Sequence, residues 1–174
     1  MSQDGPKCPL DVTPGMIAGL LDVVGLFKGR VDLAQLSKEI GMELGHLLRV
    51  LEAAEALGLV SVIDGDVQLT QSGLGFSRRL LTGKIKMLTE IVEKVEPFRS
   101  IIQYVSSRNA PVTIEEINNA VKLCESDDEQ LERLRTFIID WLVMTGWLEY
   151  DGESRAFRLR RRRAAKAQTT SSRE

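Results

Sequence analysis

The chain is poor in the residues that build metal sites and catalytic dyads. Its 174 residues include one histidine, His46, and two cysteines, Cys8 and Cys124. These residues are far apart in the sequence and form no CxxC or HxxxH spacing, so a zinc site would lack the ligands it needs. A Ser-His-Asp or Cys-His arrangement would have to use His46, whose neighbours are typical of an ordinary helix. We therefore expect no metal, no other cofactor and no enzymatic activity.

Long apolar stretches and an export signal are also missing. No uninterrupted apolar run approaches the roughly 18 residues that a membrane span needs. The N-terminal sequence MSQDGPKCPLD has neither the basic nor the apolar region of a signal peptide. We therefore expect a cytoplasmic protein without membrane insertion. In that compartment Cys8 and Cys124 are more often two free thiols than a disulfide.

The formal net charge of −2 conceals two oppositely charged parts. Residues 154–174 hold eight Lys and Arg against one acidic residue, Glu174, which gives a net charge of +7. Subtracting them from the 23 basic and 25 acidic residues leaves 15 basic and 24 acidic residues, a net charge of −9, in residues 1–153. The acidic body and the basic tail therefore have to be considered separately as binding surfaces.

The apolar pattern of the first half returns in the second half. Apolar residues at i, i+3, i+4 and i+7 predict a helix over residues 17–24 with Thr13 as its N-cap. The same spacing recurs 81 residues later over 98–105. A linker over residues 29–31 leads to a short second helix capped by Asp32, and Thr113 is the corresponding cap in the second half. This agreement over two successive helices indicates two copies of one module.

A longer third helix and a β-hairpin complete each half. The apolar face predicted for the third helix of the first half consists of Leu44, Leu47, Leu48 and Leu51. In the second half, Ser126 and Glu129 have the spacing of a capping box at the start of that helix. Strand-like residues then surround Asp64-Gly65 in the first half and Asp151-Gly152 in the second. Such pairs are typical of tight hairpins because the turn needs positive φ.

Three helices followed by a two-stranded wing are typical of the winged helix-turn-helix. We predict a mainly α-helical chain with small β-hairpin wings, in which an amphipathic connector helix joins two winged helix-turn-helix modules. The predicted parts are an N-terminal extension (1–12), the first module (13–76), the connector helix (77–96), the second module (97–159) and a disordered basic tail (160–174). The connector either packs one module on the other or forms a dimer seam, so the oligomeric state stays open.

The stretch from Pro14 to Leu159 resembles the C-terminal AAA-associated domain, which follows the nucleotide-binding domain in some ABC transporter ATPases of the nitrate/sulfonate/taurine import type. The resemblance is carried by GLLDV (19–23), LLRVLEAAEALG (47–58), GDVQLTQSG (65–73), Ile139-Asp140-Trp141 and Tyr150-Asp151. It implies a regulatory or protein-interaction role, with an ABC transporter ATPase as the partner. No ATPase precedes the module here, and the initial Met favours a free-standing chain over a fragment.

A winged-helix DNA-binding transcriptional regulator is the alternative function. The third helix and wing of the first half place carboxylates where phosphates would lie, at Glu43, Glu52, Glu55, Asp64 and Asp66. Because phosphate neutralisation supplies much of the affinity of DNA-binding proteins, these surfaces argue against DNA. The third helix and wing of the second module carry a mixture of acidic and basic residues, and the arginine tail is basic. The candidate contacts for nucleic acid or another anionic partner are therefore Arg133, Arg135, Arg155, Arg158, Arg160, Arg161, Arg162, Arg163 and Lys166.

The four consecutive arginines of residues 160–163 allow two interpretations. They would bind nucleic acid, an anionic membrane surface or an acidic partner. Alternatively, they belong to a solvated terminus that supplies solubility or contacts the chain's own acidic body. We favour the solvated terminus, and we predict a non-enzymatic regulatory or protein-interaction module.

Overall fold

The computed structural model describes residues 10–161, and the chain divides into two compact units, Met1–Ile91 and Val92–Glu174. The described fold is mainly helical, as predicted. It also contains two small antiparallel sheets of three strands each. Four residues named in the sequence predictions, Cys8, Arg162, Arg163 and Lys166, lie outside the described residues.

The described residues of the first unit form five helices and one sheet, and the fifth helix ends at Val92, the first residue of the second unit. Its helices are α1 (Pro14–Leu26), α2 (Leu33–Ile40), α3 (Leu44–Ala56), α4 (Gln71–Ser77) and α5 (Leu81–Val92), and its strands are β1 (Arg30–Asp32), β2 (Val60–Ile63) and β3 (Asp66–Leu69). The predicted caps of the first two helices are confirmed. The hydroxyl of Thr13 accepts a hydrogen bond from the amide of Met16 at 3.2 Å, and the carboxylate of Asp32 accepts from Ala34 at 3.0 Å and Gln35 at 3.1 Å.

The first sheet has one strand more than predicted. Residues 29–31 were expected to form a linker, but Arg30–Asp32 is strand β1 and pairs antiparallel with β3, giving the order β1-β3-β2. Val31 pairs with Val67, and both side chains are buried. A three-residue strand is too short to show periodicity in the sequence, so this pairing becomes visible only when β3 lies beside it.

The two hairpin turns differ. In the first unit Asp64 and Gly65 form the predicted two-residue turn, with φ of 52° and 83°. In the second unit the prediction of a tight turn at Asp151-Gly152 is wrong, because four residues separate the paired Asp151 and Ala156. There the positive φ falls on Arg155, at 52°, instead of on Gly152. The carboxylate of Asp151 organises this longer loop by accepting hydrogen bonds from it.

The second unit repeats the order of helices and strands. It contains α6 (Phe98–Ser106), α7 (Ile114–Val121), α8 (Asp128–Ile138) and a π-helical turn (Ile139–Val143), with strands β4 (Val112–Thr113), β5 (Leu148–Asp151) and β6 (Ala156–Leu159) in the order β4-β6-β5. The predicted cap Thr113 forms a full capping box with Glu116. The capping box predicted at Ser126 and Glu129 is wrong. Asp127 caps α8 instead and accepts from the amide of Gln130 at 2.9 Å, a favourable place for a carboxylate.

Aromatic side chains form the centre of the second unit. The rings of Phe98 and Phe137 are stacked with centroids 5.3 Å apart, and Trp141 lies 5.0 Å from Phe98 and 6.3 Å from Phe137. Trp141 is fully buried. Its position in the π-helical turn therefore joins the end of α8 to the start of α6 inside this unit.

The GDVQLTQSG stretch (65–73) contains strand β3 and the start of α4 in the first unit. The hydroxyl of Thr70 donates to the carbonyl of Gly58 at 2.6 Å and accepts from the amide of Gly73 at 3.0 Å, so that it caps α4. A Cβ atom on Gly73 would lie 1.9 Å from the carbonyl oxygen of Leu59. This stretch, which is part of the sequence resemblance, thus fixes the start of α4, a helix that the apolar pattern did not predict.

Candidate functional site

Two of the predicted anion-contacting arginines of the second unit form exposed ion pairs with glutamates. Arg133 and Glu129, four residues apart on α8, have a nitrogen–oxygen distance of 2.9 Å. Arg158 on β6 and Glu149 on β5 are cross-strand partners at 2.9 Å. Exposed pairs of this kind contribute little to stability, but each glutamate places a negative charge beside its arginine. A phosphate would have to displace that carboxylate to bind there.

Two further predicted arginines share one glutamate. Arg135 on α8 and Arg155 in the loop before β6 both contact the carboxylate of Glu132. Arg135 also donates to the hydroxyl of Tyr150 on β5 at 3.0 Å. The hydrogen bond from Arg135 lowers the pKa of Glu132, and Arg155 lowers it further, while the hydrogen bonds with Tyr150 and Glu132 raise the pKa of Arg135. This network joins α8 to the hairpin and favours the charged forms of Glu132 and Arg135.

Arg160 and Arg161 differ from the other predicted arginines. Within residues 10–161 neither of them forms an ion pair. The backbone amide of Arg160 donates to the carbonyl of Trp147 at 3.1 Å, which continues the hairpin by one residue. Arg160 and Arg158 line one surface cavity of about 400 Å³ beside Tyr150. The structure therefore groups Arg135 with Arg155 and Arg158 with Arg160, and it places Arg133 apart from both groups on α8.

The outward face of α3 in the first unit combines apolar and acidic side chains. Leu44 and Leu48, predicted to be part of the core, are 48% and 47% exposed, and the exposed Glu52 follows one turn later. The buried face of α3 instead comprises Leu47, Val50, Leu51, Ala53 and Ala54. Sequence spacing alone did not separate the two faces, because leucines occupy both.

Other polar groups of α3 are engaged within the unit. Arg49 pairs with Asp11 at 2.7 Å and lies 3.3 Å from the ring nitrogen Nδ1 of His46. The carboxylate of Glu55 accepts from the backbone amide of Val62 at 3.0 Å, which holds α3 against β2. The side chains of α3 that remain open for a partner thus include two leucines and a carboxylate.

An apolar cavity of about 310 Å³ adjoins the inner side of α3. Its lining includes Met16 and Leu20 of α1, Ile40 of α2, and Met42 and Leu47. Methionine side chains adapt readily to the shape of an apolar partner. This cavity adds apolar surface to the first unit but brings together no pair of groups with evident chemistry.

The groups needed for metal or thiol chemistry do not converge. Among residues 10–161 no cluster of three or more His, Cys, Asp or Glu is placed to hold a metal ion. Burial raises the pKa of the Cys124 thiol, and Asp127 and Glu125 raise it further, so the thiol stays protonated. The same described part of the chain contains no helix with the length and apolar character required to cross a bilayer.

Comparison with known proteins gives one family match. Residues 34–151 match the family model of the C-terminal AAA-associated domain. The match covers 118 of the 174 residues, from the start of α2 to the end of β5, and so includes parts of both units. No curated protein matches the chain.

Proposed function

The chain belongs to the C-terminal AAA-associated domain family, an accessory domain rather than a catalytic one, and from this membership we propose a non-enzymatic regulatory module that binds a protein. The partner that we propose is an ABC import ATPase, whose activity the module would bias. This partner is supported by the sequence resemblance and by the association of the domain family with ABC ATPases.

The architecture that we propose is a pair of winged helix-turn-helix modules, 13–76 and 97–159, joined by a connector over 77–96. The order of three helices and a hairpin in each unit supports it. In both units the short strand before the second helix pairs with the last strand of the hairpin, which gives each unit the same three-stranded sheet. In such modules the third helix is the element that reaches a partner.

The observation that carries the proposal is the composition of the α3 face. Leu44 and Leu48 are half exposed there, and Glu52 continues the same stripe. A phosphate backbone would gain nothing from the leucines and would be repelled by the carboxylate. A protein partner would bury the leucines and pair the carboxylate at the edge of the contact. The face of α3 therefore fits a protein better than DNA.

The proposal is tested by capture of the ATPase. The tagged full chain is incubated with native lysate, and transport ATPases in the eluate are quantified by mass spectrometry. Leu44→Ser/Leu48→Ser should reduce their recovery at least about tenfold, because interface anchors of this kind contribute on the order of 1 kcal/mol or more each. Met144→Ser, at a 59% exposed position in the second unit, is the matched control. Absence of any transport ATPase from the wild-type eluate would overturn the proposal.

The second candidate function is DNA binding through the second unit and the tail. It is favoured by Arg160 and Arg161, which form no ion pairs within the described residues and lead into the remaining arginines of the run. Duplex DNA is titrated at about 50 and 200 mM salt. The regulatory function predicts weak binding that falls steeply with salt and disappears when residues 160–174 are removed. Sequence-selective binding that survives this removal would establish the second candidate instead.

A further inference from the structure

Three leucines at one end of the first unit are the most exposed large apolar side chains of residues 10–161. Leu80 is 84% exposed, Leu26 is 82% exposed and Leu81 is 72% exposed. Single exposed leucines are common on protein surfaces, but three at this level in one place indicate a contact surface.

One ion pair and one shared cavity connect the end of α1 with the segment that leads into α5. Lys84 on α5 pairs with Asp22 on α1 at 2.9 Å. Leu26 lies one turn after Asp22, and residues 80–81 lie one turn before Lys84. Leu26 and Arg78 also line the same surface cavity of about 430 Å³. The end of α1 and the start of α5 therefore present their leucines on one side of the unit.

Positive charges surround these leucines. Lys28, Arg78 and Arg79 are exposed, and none of them forms an ion pair within the described residues. The nearby carboxylate, Asp22, is already neutralised by Lys84. Together Leu26, Lys28, Arg78, Arg79, Leu80 and Leu81 form what we call the basic leucine patch. The patch has a net charge of +3 on a unit whose other surfaces, such as the α3 face, carry carboxylates.

We propose that the basic leucine patch docks the protein on an anionic membrane surface. The leucines would enter the boundary between headgroups and acyl chains, and the three cations would remain among the lipid phosphates. Apolar side chains ringed by Lys and Arg are the composition that such surfaces favour. This proposal is independent of the protein partner proposed above, which was assigned to the α3 face.

A lipid surface fits the patch better than a macromolecular partner does. An anionic bilayer presents acyl chains and phosphates side by side over its whole surface, so it can accept the leucines and the cations of the patch together. Nucleic acid would use the cations but would leave the leucines in water. A lipid surface of negative charge therefore uses both the leucines and the cations of the patch, which is why we assign the patch to such a surface.

The test is co-sedimentation of the full chain with vesicles. Binding to vesicles of 30% phosphatidylserine in phosphatidylcholine, an approximate composition chosen for a strongly anionic surface, is compared with binding to phosphatidylcholine alone. We expect binding to the anionic vesicles only. Leu80→Ser/Leu81→Ser should weaken it at least about tenfold, and Arg78→Ser/Arg79→Ser about 30-fold at low salt. Met144→Ser, at the exposed position in the second unit, should bind as wild type does.

The arginine tail is a competing source of vesicle binding and is tested in parallel. A full chain in which residues 160–163, Lys166 and Arg173 are changed to Ser removes the six cations of the tail but leaves the patch intact. This variant should keep its dependence on Leu80 and Leu81. Binding that is lost in the tail variant but unchanged in Leu80→Ser/Leu81→Ser would overturn the proposal. Thermal unfolding checks that each variant is folded, which we expect because the substituted leucines are exposed.

Tryptophan fluorescence measures whether the patch enters the lipid surface. The emission of Leu81→Trp should shift to shorter wavelength with anionic vesicles, since the new side chain would leave water, whereas Met144→Trp should show no shift. No shift at position 81, or an equal shift at 144, would overturn the proposal. Loss of ATPase capture by Leu80→Ser/Leu81→Ser, without any vesicle binding by wild type, would instead identify the patch as a protein contact and overturn the membrane proposal.

Discussion

At the scale of single residues, Gly73 has a structural role that its place in a family-like motif does not reveal. A Cβ atom there would lie 1.9 Å from the carbonyl oxygen of Leu59, whereas a Cβ on Gly75, two residues later in α4, would meet nothing within 4 Å. The two glycines therefore form a matched pair in one helix. They separate a steric requirement from the general effect of glycine on helix stability.

Gly73→Ala should destabilise the first unit by about 1–3 kcal/mol or more, because backbone must move to admit the methyl group. Gly75→Ala should be neutral or stabilising by up to about 1 kcal/mol, since alanine favours a helix. Urea unfolding of both variants measures the difference. Equal stability of the two variants would contradict the close contact at Leu59.

Asp140 is a second residue whose environment makes a prediction. Burial raises the pKa of this carboxyl group in the π-helical turn. Its folded pKa therefore lies above its unfolded pKa, so the folded state binds the proton more tightly. Protonated Asp140 therefore adds to the free energy of unfolding at pH values below its unfolded pKa. This contribution is lost as the pH rises through its folded pKa.

Asp140→Asn should consequently raise the unfolding midpoint at pH 7 and leave it unchanged near pH 3. Thermal unfolding across this pH range measures the effect. A lower midpoint at pH 7 would show that the carboxylate makes a stabilising contact that outweighs the burial of its charge.

At the scale of elements, the connection between α7 and α8 is longer than the corresponding connection in the first unit. Three residues connect α2 with α3, whereas six connect α7 with α8. Asn118 at the end of α7 organises the longer connection. Its side-chain amide donates to the carbonyl of Cys124 at 2.9 Å, and its oxygen accepts from the amides of Leu123 and Cys124, both at 3.1 Å.

Asn118→Ala should destabilise the second unit by about 1–3 kcal/mol, because it leaves three partly buried backbone groups without these partners. Asn119→Ala, at an exposed position of the same helix, is the control and should have no effect or stabilise α7 slightly. Chemical denaturation compares the two variants. Should both behave alike, the connection would not depend on Asn118.

At the scale of the whole molecule, the distribution of tryptophans allows the two compact units to be followed separately. Trp141 and Trp147 are the two tryptophans of the chain, and both lie in the second unit. Tryptophan emission therefore reports the second unit, while far-UV circular dichroism reports the helices of both.

Gly73→Ala should lower the midpoint measured by circular dichroism, or split that transition, and leave the midpoint measured by tryptophan emission unchanged. This outcome follows if each unit has its own core and unfolds by itself. An equal decrease in both midpoints would show that the units unfold as one cooperative body.

Local sequence signals predicted the features that depend on neighbouring residues. The caps at Thr13, Asp32 and Thr113 and the turn at Asp64-Gly65 are confirmed, because each needs only side chains and backbone a few residues apart. The capping box that was wrongly predicted before α8 also depends on residues only a few positions apart. Ser126 and Asp127 are adjacent residues that can both cap a helix. In the structure the carboxylate of Asp127 caps α8.

The sequence by itself determined the three helices of each half, the caps Thr13, Asp32 and Thr113 and the unequal distribution of charge, since these follow from periodicity, local hydrogen bonding and composition. The tertiary structure decided which leucines of α3 are exposed, and that Arg30–Asp32 is a strand. It also decided that Arg155 pairs with Glu132, 23 residues away in the chain. These outcomes depend on contacts between residues that are distant in sequence, whose partners are chosen only when the elements pack.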